Sequence, residues 1–149
     1  MNKKRTVALS FTALIILTVI LAAVHLNTRV RVPAGTLQIE TAQGSVSVFL
    51  SELELRTVRG TLVNGKGEEK DVDAQGLLLS ELLAACRVAV STQVTAIAAD
   101  EYSAVVTADE VSEADGVYLA VEDGSARLIV FGDPNSKRQV TDIVRLVVV

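Results

Sequence analysis

The sequence predicts an α+β domain, a mixed β-sheet with short helices, preceded by one N-terminal transmembrane helix. Three observations carry that expectation. Residues 36–149 hold many short β-patterned runs separated by Gly, Asn and Asp turns. Two helical patterns interrupt those runs, which is the signature of a mixed domain. Residues 7–26 form an uncharged apolar block behind Lys3, Lys4 and Arg5.

The apolar block is long enough, as a helix, to span a hydrocarbon core of about 30 Å. The basic flank favours a cytoplasmic start at residues 1–6. A cleaved signal peptide is the alternative, although Leu21-Ala22-Ala23-Val24 offers no good small-x-small cleavage site. Either reading exports the remainder. The expected location is a cell membrane, single-pass, with the domain on the extracytoplasmic side. Residues 27–35 read as a tether and residues 36–149 as the domain. With Lys3, Lys4 and Arg5 set aside, the 14 basic residues become 11 against 18 acidic ones, a formal charge of −7. That balance disfavours nucleic acid, which is bound through positive patches. One cysteine, Cys86, excludes an intrachain disulfide and fits a bacterial envelope.

The elements follow in order. Residues 37–40 and 45–50 read as strands around Ala42-Gln43-Gly44, with Val46 and Val48 alternating against Ser45 and Ser47. Residues 51–54 suit one helical turn. Residues 55–63 and 68–74 read as strands joined by Asn64-Gly65-Lys66-Gly67, since Asn and Gly accept positive φ. A helix is expected after Gly76, because Leu79, Leu82, Leu83 and Cys86 share one face. Residues 94–99 and 103–106 read as strands flanking Asp100-Glu101. Thr107 and Glu110 have capping-box spacing, opening a short helix through Ala114. Residues 117–122 and 126–131 flank Asp123-Gly124, a hairpin signal. Residues 143–149 are apolar on both faces and are expected to be a central strand.

Several chemistries are excluded outright. The only histidine is His25, in the apolar block, so the domain can build neither a Ser-His-Asp arrangement nor a His/Cys zinc site. No glycine-rich phosphate cradle is present. Cys86 reads as a small core residue. The carboxylates Glu68, Glu69, Asp71 and Asp73, and then Asp109, Glu110, Glu113 and Asp115, lack calcium-loop spacing and read as solvated faces. Ser136, Lys137 and Arg138 precede the last strand and could grip an anion.

Taken in order, Gly76 to Leu83, Asp100-Glu101-Tyr102, Val117 to Val121, Arg127 to Gly132 and the closing Ser136 to Val149 together resemble the oxidoreductase molybdopterin-binding domain, the fold of the sulfite oxidase family. The resemblance covers residues 36–149. Gly76-Leu77-Leu78-Leu79-Ser80-Glu81-Leu82-Leu83 is similar to the family's G-v-x-L-x-d-L-L helix entry. Asp100-Glu101-Tyr102 is similar to D-G-Y, with Glu101 in place of Gly. Residues 117–121 are similar to the v-x-L-A strand. Arg127-Leu128-Ile129-Val130-Phe131-Gly132 is similar to R-L-v-v-P-G, with Phe131 in place of Pro. The closing segment resembles the one that holds the pterin phosphate.

The resemblance implies a mixed sheet of the sulfite oxidase type. It implies Lys137, Arg138 and Ser136 at a pterin phosphate, with Asp100 and Tyr102 lining the site. The family's metal-ligating Cys would fall within residues 57–67, which contain none, and Cys86 lies elsewhere. Gln139 and Thr141 stand beside Arg138, where the family often has further basic residues. The expected function is therefore a membrane-anchored binding or accessory module of a redox system, not a sulfite oxidase-type catalyst. Molybdopterin and no cofactor are equally open. One alternative is an oxidoreductase with molybdenum held by the pterin alone. Another is a structural domain that docks a protein partner. A redox protein is the partner the first reading implies.

Overall fold

The computed structural model describes residues 14–23, 32–114, 116–134 and 136–149. Two units are compact by themselves, residues 1–31 and residues 32–149. In the first, residues 14–23 are helical and the rest of the apolar block lies outside the described residues, His25 included. At 1.5 Å per residue the described helical residues 14–23 span about 15 Å. No helix among the described residues is long and apolar enough to cross a membrane. The expected transmembrane helix, and with it the single-pass membrane location, is corrected on that finding.

The described residues of the second unit hold nine strands. They are β1 (Thr36–Thr41), β2 (Gly44–Phe49), β3 (Arg56–Val63), β4 (Glu69–Leu78) and β5 (Gln93–Ala98), then β6 (Ser103–Thr107), β7 (Val117–Glu122), β8 (Ser125–Val130) and β9 (Ile143–Val148). Two helices are short: α1 (Leu79–Ala85) and α2 (Ala108–Ser112). Of the described residues 47% are strand and 22% helical, so the fold is mainly β and the α+β expectation is corrected. The reason is strand pairing at long range. Gly76–Leu78 was expected to open the helix but stays extended, because β4 pairs there with β7, Gly76 opposite Ala120 and Leu78 opposite Tyr118. The second helix stops at Ser112, since Glu113 is already extended.

The main path runs β2-β1-β9-β8-β7-β4-β3, and β5-β6 branches from β9. β9 lies parallel to β1 and antiparallel to β5, which makes the sheet mixed and the last strand central. Inward residues alternate with outward ones along β1 and β5: Leu37, Ile39, Val94 and Ala96 are fully buried. They join Leu119, Leu128 and Leu146 in one aliphatic core. The stripe Leu79, Leu82 and Leu83 plugs α1 into it. A second, smaller core sits on the opposite face. There Leu62 and Val72 of the β3–β4 hairpin pack against Ala120 and Ile129.

Local chemistry sets the turns. The Asn64 side-chain oxygen accepts from the Lys66 and Glu68 amides, and Gly67 has φ +82°. Asp123 and Gly124 both have positive φ, as a tight two-residue hairpin requires. Thr107 and Glu110 form the expected capping box.

Candidate functional site

The five expected site residues lie at one corner, where the β5–β6 turn meets the 3-10 turn Ser136–Arg138. The turn is closed by the Glu101 amide donating to the Ala98 carbonyl at 3.0 Å. Glu101 has φ +71°, a left-handed conformation that glycine adopts without strain. The Asp100 carboxylate accepts from the Tyr102 amide at 3.0 Å, and the Tyr102 hydroxyl donates to the Lys137 carbonyl at 2.6 Å. Tyr102 is half exposed. Asp100 and Tyr102 thus hold the 136–138 turn in place through its backbone. Ser136 lies in the turn, and Lys137 is exposed.

Arg138 is the best-defined member. Its Nε donates to both oxygens of Asp133 at 3.0 Å, its Nη2 meets the same carboxylate, and its Nη1 reaches Glu110 at 2.6 Å. Asp133 is buried, one of the few polar side chains that are. These carboxylates hold the guanidinium firmly in its charged form, Asp133 contributing most. For Glu110, desolvation pushes the carboxyl up. The Thr107 amide and Arg138 outweigh it and hold the group below the ordinary range. Arg138 is thus a clasp that joins α2 to the loop before β9. A phosphate would have to displace two carboxylates to reach it.

The segment expected to carry a metal ligand is mostly strand β3, ending in the Asn64 turn. None of three surface depressions joins it to Arg138. Cys86 caps α1, half-buried against the main core, and burial pushes its thiol up, away from the thiolate form that binds metals. No cluster of three His, Cys, Asp or Glu side chains able to hold a metal exists among the described residues. The carboxylates of β4 are engaged locally, Asp73 with Arg59 and Asp71 with Thr61. The residues present therefore do not fit a metal-bearing pterin: the thiolate is missing and the proposed phosphate grip is already occupied.

Sequence reasoning passed over Arg127. It lies in β8 beside a depression of about 320 Å³ that Ser125, Thr141 and Asp142 also line. Its Nη2 donates to the Gln139 side-chain oxygen at 3.3 Å, while Arg127 Nε and Gln139 Nε2 are buried donors with no hydrogen-bond partner among the described residues. Three carboxylates, Glu122, Asp123 and Asp142, line the same depression and oppose an anion there. An arginine inside an otherwise apolar strand was the available signal.

Phe131 explains a departure from the resembled pattern. Its amide donates to the Gly116 carbonyl at 3.1 Å, a bond proline cannot make. Its ring covers Gly60 and meets Tyr118 edge-on, 5.6 Å between centroids.

The chain matches no known family model and no curated protein.

Proposed function

We propose that residues 32–149 form a binding or accessory module of the molybdopterin-binding type, not a sulfite oxidase-type catalyst. The observation that carries this reading is the Arg138 clasp. The one arginine expected at a pterin phosphate has its Nε, Nη1 and Nη2 committed to Asp133 and Glu110. The absence of a cysteine from residues 57–67 supports the same conclusion, since a thiolate is what the resembled chemistry requires of the protein. The test is to produce the full chain in cells that make molybdopterin, then measure molybdenum content, retained pterin by native mass spectrometry, and dye reduction with sulfite. The reading expects no turnover. Retained pterin assigns the module to cofactor binding, and its absence leaves the accessory role. One molybdenum per chain, with turnover lost in Lys137→Ala/Arg138→Ala, would overturn it.

A partner-docking role has one observation of its own. β2 is an edge strand without a charge or a proline, and it leaves Val46 and Phe49 about half exposed. Unprotected edges of that kind pair readily with other strands. Val46→Lys should abolish partner capture or self-association if β2 is the docking edge; unchanged association would remove this reading.

A further inference from the structure

A depression of about 510 Å³ lies beside the start of β3, within the range of about 300–1,000 Å³ usual for small-molecule sites. One wall is the run from Arg56 to Arg59; Leu78, Ala114 and Tyr118 close the rest. β3 ends the strand path, so no further strand covers that wall. We propose that this depression binds an anionic ligand, a carboxylate or phosphate carried on a flat apolar body. It shares no lining residue with the corner of Asp100 and Arg138 or with the depression beside Arg127.

Three features converge on that chemistry. First, the charged lining among the described residues is arginine alone, Arg56 and Arg59, in a domain (residues 32–149) that carries 9 basic residues against 18 acidic ones. Arginine forks match carboxylate and phosphate geometry. Second, both arginines can be re-partnered. Arg59 meets Asp73 at 2.9 Å with the two side chains 75% and 62% exposed, and Arg56 meets Glu81 with both well exposed. Such exposed pairs are weak and screened by solvent, so a ligand oxyanion can replace either carboxylate at little cost. Arg138, bound to a buried aspartate, has no such freedom. Third, the floor is apolar and fixed. Val58 is buried, and the Tyr118 ring is held edge-on by Phe131. Arg56 lies within electrostatic reach of the Tyr118 phenol, so charge and ring stand together. A flat apolar body can rest on Val58, Leu78 and Tyr118 while its oxyanion meets Arg56, which shares their face of β3; Arg59 lies on the opposite face of the strand, across from Asp73, and adds its charge from the edge.

The test uses the full chain with phenyl phosphate as the probe, followed by calorimetry and by amide shift mapping. Inorganic phosphate and benzyl alcohol serve as the charge-only and ring-only controls. The expected result is saturable binding of phenyl phosphate, about tenfold or more tighter than either control, with shifts at Thr57, Val58, Leu78 and Tyr118. Arg56→Gln, at a well-exposed position that leaves the fold intact, should weaken it about tenfold, the loss of one charge-assisted hydrogen bond. Arg56→Gln/Arg59→Gln should abolish it, while Lys137→Ala leaves it unchanged. Absence of saturable binding, binding that survives the double variant, or shifts mapping to Arg127 or Lys137 would each overturn the proposal.

Discussion

Replacing Arg138 with methionine should destabilise this domain by about 2–3 kcal/mol even with no ligand present. Methionine retains most of the stem, so the change isolates the charge. Removing one partner of a fully buried ion pair costs about 3–5 kcal/mol, whereas an exposed pair contributes about 0–1. The clasp falls between these limits. The Asp133 side chain is 5% exposed, but Glu110 and Arg138 are each about a third exposed. The Asp133 half therefore lies near the buried limit and the Glu110 half is discounted for solvent. For a domain of this size the loss corresponds to a fall in Tm of about 8–12 °C. Urea unfolding of the full chain measures it, with the unfolding slope checked for constancy. The variant Asp133→Asn/Arg138→Met removes both charges of the buried half and leaves only the part-exposed Glu110 without its arginine, so it should cost less than the sum of its single changes by about 1–2 kcal/mol. A stability within about 0.5 kcal/mol of wild type for Arg138→Met would refute the clasp and return Arg138 to the pool of ligand-binding residues.

Three further outcomes are expected. A Cβ at Gly76 would lie 2.6 Å from the Leu119 carbonyl oxygen, and one at Gly60 would lie 2.3 Å from the Phe131 ring. Gly76→Ala should cost more than Gly60→Ala, since a side chain can swing aside and a paired strand cannot; the latter should fall at about 1–3 kcal/mol in denaturant titrations, and equal costs would contradict this. Glu110 is held below its ordinary value, so its contribution is present above the unfolded pKa of 4.5 and lost as pH falls through the folded one. Stability should thus drop on acidification below about pH 4.5, and Glu110→Gln should flatten that drop. Cys86, with its thiol pushed up by burial, should be alkylated by iodoacetamide at pH 8 several-fold more slowly than a free cysteine, and at the free rate once unfolded in urea.

Much of the sheet was legible because its signals are local. Alternation in residues 45–48, the Asn64 turn, the Thr107–Glu110 box and the Asp123-Gly124 hairpin each depend on neighbours within a few residues. The apolar final strand is central, as its two-sided pattern implies. What escaped the sequence depends on distant partners. Gly76–Leu78 stays extended because β7 pairs with it, from some forty residues further along the chain. The site was half legible for the same reason. Asp100, Tyr102, Lys137 and Arg138 do meet, but nothing local to Arg138 announces that Glu110 will take part of its guanidinium. Arg127 was hidden by its strand, where a charge at an inward-leaning position looks like noise until Gln139 is placed beside it.

The position of β9 governs how this domain can come into being. Ile143–Val148 hydrogen-bonds to β1 on one side and to β5 on the other, and touches β8 at Ile143. The first strand therefore waits for the last, more than a hundred residues later, before its inner edge is paired. Such long-range closure makes folding slow, since loop entropy is spent before the contacts that repay it exist. On the ribosome, β1–β2 and β5–β6 would emerge as separate hairpins around an empty slot. Each exposes an unpaired edge until β9 is made and inserts between them, so the nascent chain is most vulnerable to chaperone capture or aggregation before that strand emerges.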